Sequence, residues 1–460
     1  MNEHNFIHVL NLKRELKRLS KLIKQNSFDN NALLMRGKLY TELGEINQAI
    51  DDYSEAINIK PTSSEAYTDR GYLYSILGEN NQAFKDYDNA IRCSSVYTRA
   101  YLYRGYLYSE IGDSNKALID LSKAIELDED DATTFYNRGV IYEKLNMIEK
   151  AINDYTEAIN LNPYYELSYI NRGNLFGRLG EHEQALIDYT EAINLGTSSA
   201  ITYFNRGSIY HSKGEYNEAL SDYNKAIKLN PQYSDAYCNR GTLYDSIGKI
   251  NQAFLDYNSA INLNRTDPIT YCYRGSNYKL QGKYNKAIDD YNEAIKLNPY
   301  YTDAYFCRGI VYEKLYDNSQ ALSDFNKVIK LSPQYADAYI CRGIIYKNLD
   351  NNDQALLDFN QAIELNPQNS NAFDNRGILY SLLGKTEQAL SDFTKAIMLD
   401  SQNWSAFGNR GFFYANLNED KKALSDYNEA IKINPQFDLG ITNRKDLLAK
   451  MDKNNDEIIY

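Results

Sequence analysis

An arginine followed by glycine recurs along this 460-residue chain at a fixed spacing of 34 residues. Twelve copies run from Arg36 to Arg410, and a further arginine, Arg444, keeps the same phase. These positions hold 13 of the 19 arginines in the chain, and lysine never replaces them. The position therefore requires a planar guanidinium with several donors, which suits a row of structural ion pairs or a row of groups that bind phosphates or carboxylates.

An aspartate follows each of the first twelve arginines sixteen residues later. We number every repeat from 1 to 34, so that arginine occupies position 7 and aspartate position 23; the repeats start at residues 30, 64, 98, 132, 166, 200, 234, 268, 302, 336, 370 and 404. A periodic Arg–Asp pair between helices explains both residues, within one repeat or between neighbouring repeats. Arg444 has no position 23 of its own, so Asp426 is its candidate partner. The residues that we assign to these structural ion pairs include Arg206, Asp222, Arg240, Asp256, Arg444 and Asp426.

Residues that could support catalysis or bind a metal are few. His4 and His8 are four residues apart, but no third ligand accompanies them. The sequence contains no phosphate-binding loop, no nucleophile elbow and no GxGxxG motif. We therefore expect no enzymatic activity, no metal and no cofactor.

Four of the five cysteines occur in pairs at equivalent repeat positions. Cys238 and Cys272 occupy position 5, whereas Cys307 and Cys341 occupy position 6. Neighbouring helices pack about 8–10 Å apart, and a disulfide requires Cα atoms within about 7 Å. Equivalent cysteines in adjacent repeats are therefore not expected to form disulfides.

The elements that carry these residues are two short helices in each repeat. In residues 200–233, apolar or small residues recur at spacings of three and four, which is typical of helices. Gly214, at position 15, separates two such runs, and Pro231, at position 32, ends the second because proline cannot continue a helix. Each repeat is thus predicted to be a hairpin of helix A and helix B.

Small residues in both helices predict that the two backbones come close together. Glycine at position 8 and alanine at position 20 occur in all twelve repeats. Position 15 is glycine in eight repeats; Asn146, Asp350 and Asn418, which replace it in three, tolerate a left-handed backbone better than most residues. Tyr316 replaces it once, and the sequence does not explain this exception.

These positions resemble the tetratricopeptide repeat (TPR) family over roughly residues 30–453. In the sixth repeat the matching residues are Tyr203, Gly207, Tyr210, Ala219, Tyr223, Ala226 and Pro231. The resemblance implies an all-α fold, a right-handed superhelical solenoid of twelve 34-residue helix-turn-helix repeats with terminal capping helices. It also implies that helix A lines a concave groove and that helix B faces outward.

By this resemblance, position 6 of helix A faces the groove, and asparagine is common there. An asparagine amide offers both donors and an acceptor, so a row of amides can bind the main chain of an extended peptide. The alternative is that these amides fix the helix or hydrate the groove. The candidate binding residues are Asn137, Asn171, Asn205, Asn239, Asn375 and Asn409.

Aromatic residues on the same face are candidate anchors for a partner, because exposed aromatic side chains often dominate the energy of interfaces. Some of them will instead serve packing, since the chain contains 43 tyrosines. The aromatic candidates are Tyr72, Tyr106, Tyr136 and Phe204.

We expect three segments: residues 1–29, the repeats in 30–437, and a capping helix with a polar tail in 438–460. Residues 1–29 carry a net charge of +3 and predict a basic amphipathic helix. Docking on the first repeat, binding of another helix and contact with an anionic membrane are alternative roles for it. Leu447, Leu448 and Met451 are predicted to cover the last hairpin.

The composition excludes several classes of function. A net charge of −12 argues against nucleic acid as the main partner, and no apolar run is long enough for a transmembrane helix. An odd number of cysteines without close pairs suits a reducing compartment, so we expect a cytoplasmic protein.

The sequence thus favours a scaffold or adaptor that binds a peptide or partner segment in its groove. The alternative is a structural subunit contacted through its outer face and its terminal helices.

Overall fold

The computed structural model describes the backbone of residues 3–457 and the side chains of residues 10–451. Every regular element in this part of the chain is an α-helix, which confirms the predicted fold class. The helices divide into two compact units, Met1–Pro231 (unit 1) and Gln232–Tyr460 (unit 2).

Unit 1 contains a long first helix followed by six helical hairpins, in which even-numbered helices are helix A and odd-numbered helices are helix B. Its helices are α1 (Glu3–Gln25), α2 (Asn30–Glu42), α3 (Ile46–Ile59), α4 (Ser64–Ile76), α5 (Asn80–Cys93), α6 (Thr98–Glu110), α7 (Ser114–Leu127), α8 (Ala132–Lys144), α9 (Ile148–Leu161), α10 (Glu166–Leu179), α11 (His182–Asn194), α12 (Ala200–Ser212) and α13 (Tyr216–Leu229).

Unit 2 contains six further hairpins with the same alternation and ends with a single long helix. Its helices are α14 (Ser234–Ser246), α15 (Ile250–Leu263), α16 (Pro268–Leu280), α17 (Tyr284–Leu297), α18 (Thr302–Lys314), α19 (Asn318–Leu331), α20 (Ala336–Asn348), α21 (Asn352–Leu365), α22 (Ser370–Leu382), α23 (Thr386–Leu399), α24 (Trp404–Asn416), α25 (Asp420–Ile433) and α26 (Asp438–Glu457).

The turn between helix A and helix B depends on one residue in the left-handed region. The eight glycines at position 15 all have positive φ, and Asn146, Asp350 and Asn418 adopt φ of 57–58° at the same place. This confirms the prediction for the three polar replacements. Tyr316 also adopts φ of 59°, and its side chain is 89% exposed, so the local geometry is kept although a bulky residue occupies it.

The contact between helix A and helix B explains the glycine at position 8. A Cβ atom added to Gly241 would lie 2.7 Å from Cε1 of Tyr257, the aromatic residue at position 24. Tyr257 is 1% exposed, and Ala253 at position 20 is completely buried beside it. The aromatic ring therefore occupies the volume that a larger residue at position 8 would require.

The first helix, α1, packs against α2. Leu19 is 3% exposed, and Ile23 packs against the cluster that contains Leu33 and Tyr53. The basic side chains of α1 are exposed, and they are Lys13, Arg14, Lys17, Arg18, Lys21 and Lys24. His4 and His8, considered above as a metal pair, lie outside the residues whose side chains the structure describes.

The last helix, α26, packs against α25. Leu447 is 5% exposed and contacts the cluster around Tyr427, and Met451 packs against the same cluster. Leu448 is 40% exposed, so the expectation that it covers the last hairpin is wrong. Leu447 and Met451, four residues apart, share one helix face, and Leu448 lies about 100° away from Leu447 on the helix.

None of the helices in the described part of the chain combines the length and the apolar content that a bilayer span requires.

Candidate functional site

The guanidinium at position 7 binds the aspartate at position 23 of its own repeat. In Arg206, Nε donates to Oδ2 of Asp222 at 2.7 Å, and Nη2 donates to Oδ1 at 2.8 Å. Arg240 and Asp256 form the same two bonds, each of 2.7 Å. In the twelve full repeats these bonds measure 2.6–2.9 Å. This two-bond geometry explains why lysine does not replace arginine.

The remaining group of the guanidinium, Nη1, donates to position 25 of the preceding repeat. In Arg172, Nη1 lies 3.0 Å from Oγ1 of Thr156; in Arg342, it lies 2.6 Å from Oδ1 of Asn326. Arg36 makes the corresponding bond to Ser20 of α1, at 3.2 Å. The arginine therefore joins three helices, and the aspartate pair itself lies within one repeat.

The final arginine corrects one of our expectations. Asp426 accepts both of its bonds from Arg410, at 2.8 and 2.9 Å. Arg444 instead donates from Nη1 to Oδ1 of Asn428 at 3.1 Å, and no ion pair joins it to Asp426 within the described residues. The reason is that pairing occurs within a repeat, so the half-repeat keeps only the bond to position 25 of its predecessor.

Aromatic rings and buried surroundings keep these pairs away from solvent. The Arg342 guanidinium lies 5.6 and 5.9 Å from the ring centres of Tyr339 and Tyr346, at positions 4 and 11. The carboxylate of Asp188 is only 1% exposed; burial raises its pKa, and the hydrogen bonds from Arg172 oppose that rise. The guanidinium–carboxylate pairs thus belong to the structural framework of the helices.

Two of the candidate asparagines in unit 1 are held by neighbouring helices. Nδ2 of Asn171 donates to the hydroxyl oxygens of Tyr136, at 3.3 Å, and Tyr155, at 3.4 Å. Nδ2 of Asn205 donates to Oδ1 of Asn174 at 2.9 Å. Both asparagines are half-buried, so their amides are oriented by the fold on a surface that solvent reaches.

The other candidates in unit 1 lie in two surroundings. Tyr136 is half-buried, with its ring 5.0 Å from that of Tyr165. Phe204 is half-buried, with its ring 6.0 Å from that of Tyr223. The remaining three border one cavity of about 560 Å³, and they are Tyr72, Tyr106 and Asn137.

In unit 2 the candidate asparagines differ from one another in the groups that they contact. Nδ2 of Asn409 lies 3.0 Å from both carboxylate oxygens of Asp374 and 3.2 Å from Oγ of Ser405. Nδ2 of Asn375 donates to the backbone oxygen of Asn371 at 2.9 Å, so this amide is bound to its own helix. Asn239 is half-buried on α14.

Buried polar groups that our sequence reasoning missed accompany these candidates. Asp374, at position 5, is 3% exposed, and burial raises its pKa. Asn277 is completely buried at position 10, where eleven repeats carry an apolar residue; its Nδ2 donates to Oδ1 of Asp245 at 2.7 Å. A polar residue inside an otherwise apolar column was the available signal for Asn277.

The structure brings together two cysteines at non-equivalent positions. Cys272, at position 5, and Cys307, at position 6 of the next repeat, pack in one cluster and share a hydrogen bond. This bond raises the pKa of Cys272 and lowers that of Cys307. All five cysteines are free thiols, and the described residues contain no group of three or more His, Cys, Asp or Glu side chains able to hold a metal ion.

Comparison with known proteins gives matches to repeat families and solved structures. A family described as TPR repeat matches residues 37–78, 105–146, 207–246 and 275–315. Families described as Tetratricopeptide repeat match residues 132–165 and 336–369, residues 359–391, and residues 64–94, 167–195, 234–267 and 405–437. No curated protein matches the chain.

Three solved structures illustrate the similarity. A tetratricopeptide repeat protein from Parabacteroides merdae is 24% identical, with 55% of this chain and 100% of that chain covered and a TM-score of 0.48. YrrB, described as a TPR protein with an unusual peptide-binding site, is 26% identical, with 41% and 97% covered and a TM-score of 0.32. The Cut9–Hcn1 hetero-tetramer of APC/C is 14% identical, with 97% and 95% covered and a TM-score of 0.48. Because the family matches together span more than half of the chain, the protein belongs to the tetratricopeptide repeat family.

Proposed function

We propose that this protein is a non-catalytic interaction scaffold or adaptor that binds an extended segment of a partner protein along helix A. Tetratricopeptide repeat proteins are in general protein-interaction scaffolds. The observation that carries the proposal is the fixed orientation of Asn171 and Asn205. Each amide donates from Nδ2 to a neighbouring helix, and within the described residues no hydrogen bond reaches either Oδ1. These oxygens are available to accept from the main-chain N–H groups of a bound peptide.

The test compares two double variants of the full chain. Asn171→Ala combined with Asn205→Ala removes the two oriented amides from helix A. Asn153→Ala combined with Asn160→Ala removes two exposed asparagines from helix B of the fourth repeat and serves as the matched control. We expect the first variant to lose partners that the wild type captures from its native cells, as identified by mass spectrometry, and the control to retain them. Equal capture by both variants, with unchanged circular dichroism, would contradict binding through these amides.

The second candidate function is a structural subunit of a larger assembly. Two isoleucines at position 22 of helix B favour it, because Ile119 is 68% exposed and Ile187 is 67% exposed. The basic side of α1 is a further exposed surface. Hydrogen-exchange protection in a purified complex separates the two functions: protection along helix A supports groove binding, and protection of helix B or α1 supports the assembly role.

The partner is proposed to be a protein or peptide, with no nucleic acid, because the chain carries a net charge of −12. We propose a cytoplasmic location, because five free thiols suit a reducing compartment. Contact of α1 with an anionic membrane is the less favoured use of its basic side.

A further inference from the structure

The cavity in unit 1 is walled by aromatic side chains from three neighbouring helices. Tyr72 of α4, Tyr87 of α5, and Tyr103 and Tyr106 of α6 line it; we call these four residues and the space between them the tyrosine pocket. The ring centres of Tyr72 and Tyr103 are 5.2 Å apart, and those of Tyr87 and Tyr103 are 6.4 Å apart. Tyr72 is 39% exposed and Tyr106 is 49% exposed, so both can be reached by a ligand.

The charges around the tyrosine pocket are mainly negative. Glu110 and Asp131 line it, and Glu110 is exposed. Arg99 also lines it, but its Nη2 donates to Oδ1 of Asp69 at 2.9 Å, and its Nη1 lies 3.4 Å from Oη of Tyr97. Two carboxylates and one guanidinium therefore line the pocket, and the guanidinium is already paired with a third carboxylate, that of Asp69.

Asp69 offsets the positive charge of Arg99. Its side chain is 8% exposed, and its second oxygen, Oδ2, is buried and has no hydrogen-bond partner among the residues that the structure describes. Burial raises the pKa of Asp69, and the attraction of Arg99 opposes that rise. Arg99 also shows how a cation fits here, because its guanidinium lies 5.5 Å from the ring centre of Tyr103.

The position of the tyrosine pocket connects it with the proposed peptide surface. Asn137, at position 6 of α8, lines the pocket, and the same position supplies Asn171 and Asn205 in the next two repeats. A peptide whose main chain is bound by these amides would therefore carry a side chain past the pocket entrance. A volume of about 560 Å³ exceeds what one long side chain requires.

We propose that the tyrosine pocket binds a cationic side chain, lysine or arginine, of the partner segment. The inference rests on the proposed peptide-binding function and adds a specificity to it. Aromatic faces attract cations, carboxylates at the rim add attraction, and the net charge of −12 favours the approach of a basic partner. An anionic side chain would instead face the carboxylates of Glu110 and Asp131.

The test uses the full-length protein and three fluorescein-labelled peptides of equal length. Each peptide consists of glycine and serine and carries one central residue, which is arginine, norleucine or glutamate. We expect the arginine peptide to bind about 10-fold more tightly than the norleucine peptide in fluorescence anisotropy, and the glutamate peptide to bind most weakly. We expect Glu110→Gln and Tyr106→Leu each to remove most of the arginine preference.

Matched variants control for effects on folding and on overall charge. Tyr164→Leu changes a tyrosine that is 80% exposed in the loop between α9 and α10, and Glu387→Gln changes an exposed glutamate on α23. Both are expected to keep the arginine preference. Because Glu110 is exposed, its substitution tests the pocket even where Tyr106→Leu perturbs packing.

The outcomes separate the tyrosine pocket from the proposed function. Equal binding of the three peptides, abolished in the Asn171→Ala, Asn205→Ala variant, would retain peptide binding and overturn the pocket. Tightest binding of the glutamate peptide would also overturn it, as would the absence of binding by any of the three. An arginine preference that Glu110→Gln leaves unchanged would show that the cation binds elsewhere.

Discussion

Unit 1 and unit 2 carry different residues at equivalent positions of helix A. At position 9, unit 1 has Tyr72 and Tyr106, whereas unit 2 has Ile310 and Ile344. At position 6, each unit has three asparagines in its full repeats, but only unit 2 also has cysteine, in two repeats. The guanidinium–carboxylate geometry is nevertheless the same in both units. The comparison separates positions that maintain the hairpin from positions that are free to diversify for binding.

The two kinds of position differ in how strongly other buried groups depend on the residue that occupies them. Asp188 in unit 1 and Asp324 in unit 2 are 1% and 3% exposed, and each accepts two bonds from its arginine. Tyr106 is 49% exposed. Substitution of a buried, paired group leaves its partner without compensation, whereas substitution of an exposed ring does not.

The largest expected effect comes from breaking the shared frame. Asp188→Ala and Asp324→Ala each strand a largely buried arginine, and we expect each to lower the free energy of unfolding by about 3–5 kcal/mol. Urea denaturation followed by circular dichroism measures the loss. Arg444→Ala is the control, because it removes only a partly exposed bond to Asn428 and costs less than about 1 kcal/mol. A large loss in only one unit would contradict a common frame.

The next effect distinguishes two close contacts between helix A and helix B. A Cβ atom on Gly241 would lie 2.7 Å from Tyr257, and one on Gly207 would lie 3.1 Å from Cβ of Asp222. Overpacking costs about 1–3 kcal/mol, and alanine in a helix recovers about 0.5–1 kcal/mol. We therefore expect Gly241→Ala to destabilise the protein and Gly207→Ala to change its stability little in thermal unfolding. The reverse order would show that the tyrosine ring moves more easily than helix B.

A smaller effect concerns the turn in unit 2 in which a bulky residue adopts a left-handed backbone conformation. Tyr316 has φ of 59° and is 89% exposed, so Tyr316→Gly removes strain without a loss of packing. We expect a gain of about 1 kcal/mol in the free energy of unfolding. Asn146→Gly in unit 1 is the matched comparison and is expected to gain less, because asparagine tolerates this conformation. A loss of stability in Tyr316→Gly would show that the greater freedom of glycine in the unfolded chain outweighs the relief of strain.

The smallest expected effect concerns the reactivity of the thiol pair Cys272 and Cys307, which lies in unit 2. The hydrogen bond from Cys272 lowers the pKa of Cys307, whereas burial raises the pKa of Cys341 to about 12. Because the thiolate is the nucleophile, alkylation of Cys307 by iodoacetamide is expected to rise with pH and to level off at a lower pH than that of an ordinary cysteine. Cys341 remains slow throughout this range. Peptide mass spectrometry measures both rates.

The control for this pH dependence is the removal of the donor. Cys272→Ala is expected to move the pKa of Cys307 upward, so its alkylation at neutral pH becomes slower. Cys238→Ala removes a cysteine that does not pair with Cys307 and is expected to leave the rate unchanged. An unchanged profile in Cys272→Ala would show that another neighbour sets the reactivity of Cys307.

Repetition made much of the frame predictable. The close approach of the two helices follows from a glycine and an alanine that recur in every copy, and the left-handed turn at position 15 follows from a glycine in eight copies and from Asn or Asp in three. Sequence alone left open whether Arg206 pairs within its repeat, because position 23 is aspartate in its own repeat and in the neighbouring ones. The packed helices assign Nε and Nη2 to Asp222 and Nη1 to Thr190 of the preceding repeat.

The side-chain contacts along helix A were less predictable, because they join non-equivalent positions. Asn171 reaches Tyr136, which is 35 residues away, and the same offset relates Cys307 to Cys272. A comparison of the repeats with one another aligns equivalent positions. It therefore does not reveal a contact between one position and the following position of the next repeat. The tyrosine pocket also depends on Arg99 and Asp69, which occur at positions 2 and 6 of single repeats and leave no periodic signal.

Within each unit, the bonds from guanidinium Nη1 to the preceding repeat have a consequence for the way the chain unfolds. When one repeat opens, its position 25 acceptor leaves, and the arginine of the following repeat loses a partner. The acceptor is usually a hydroxyl in unit 1, as in Thr156, and an amide in unit 2, as in Asn326. Each opening therefore lowers the cost of opening its neighbour, so denaturation is expected to advance from the ends of each unit over several repeats in one cooperative step.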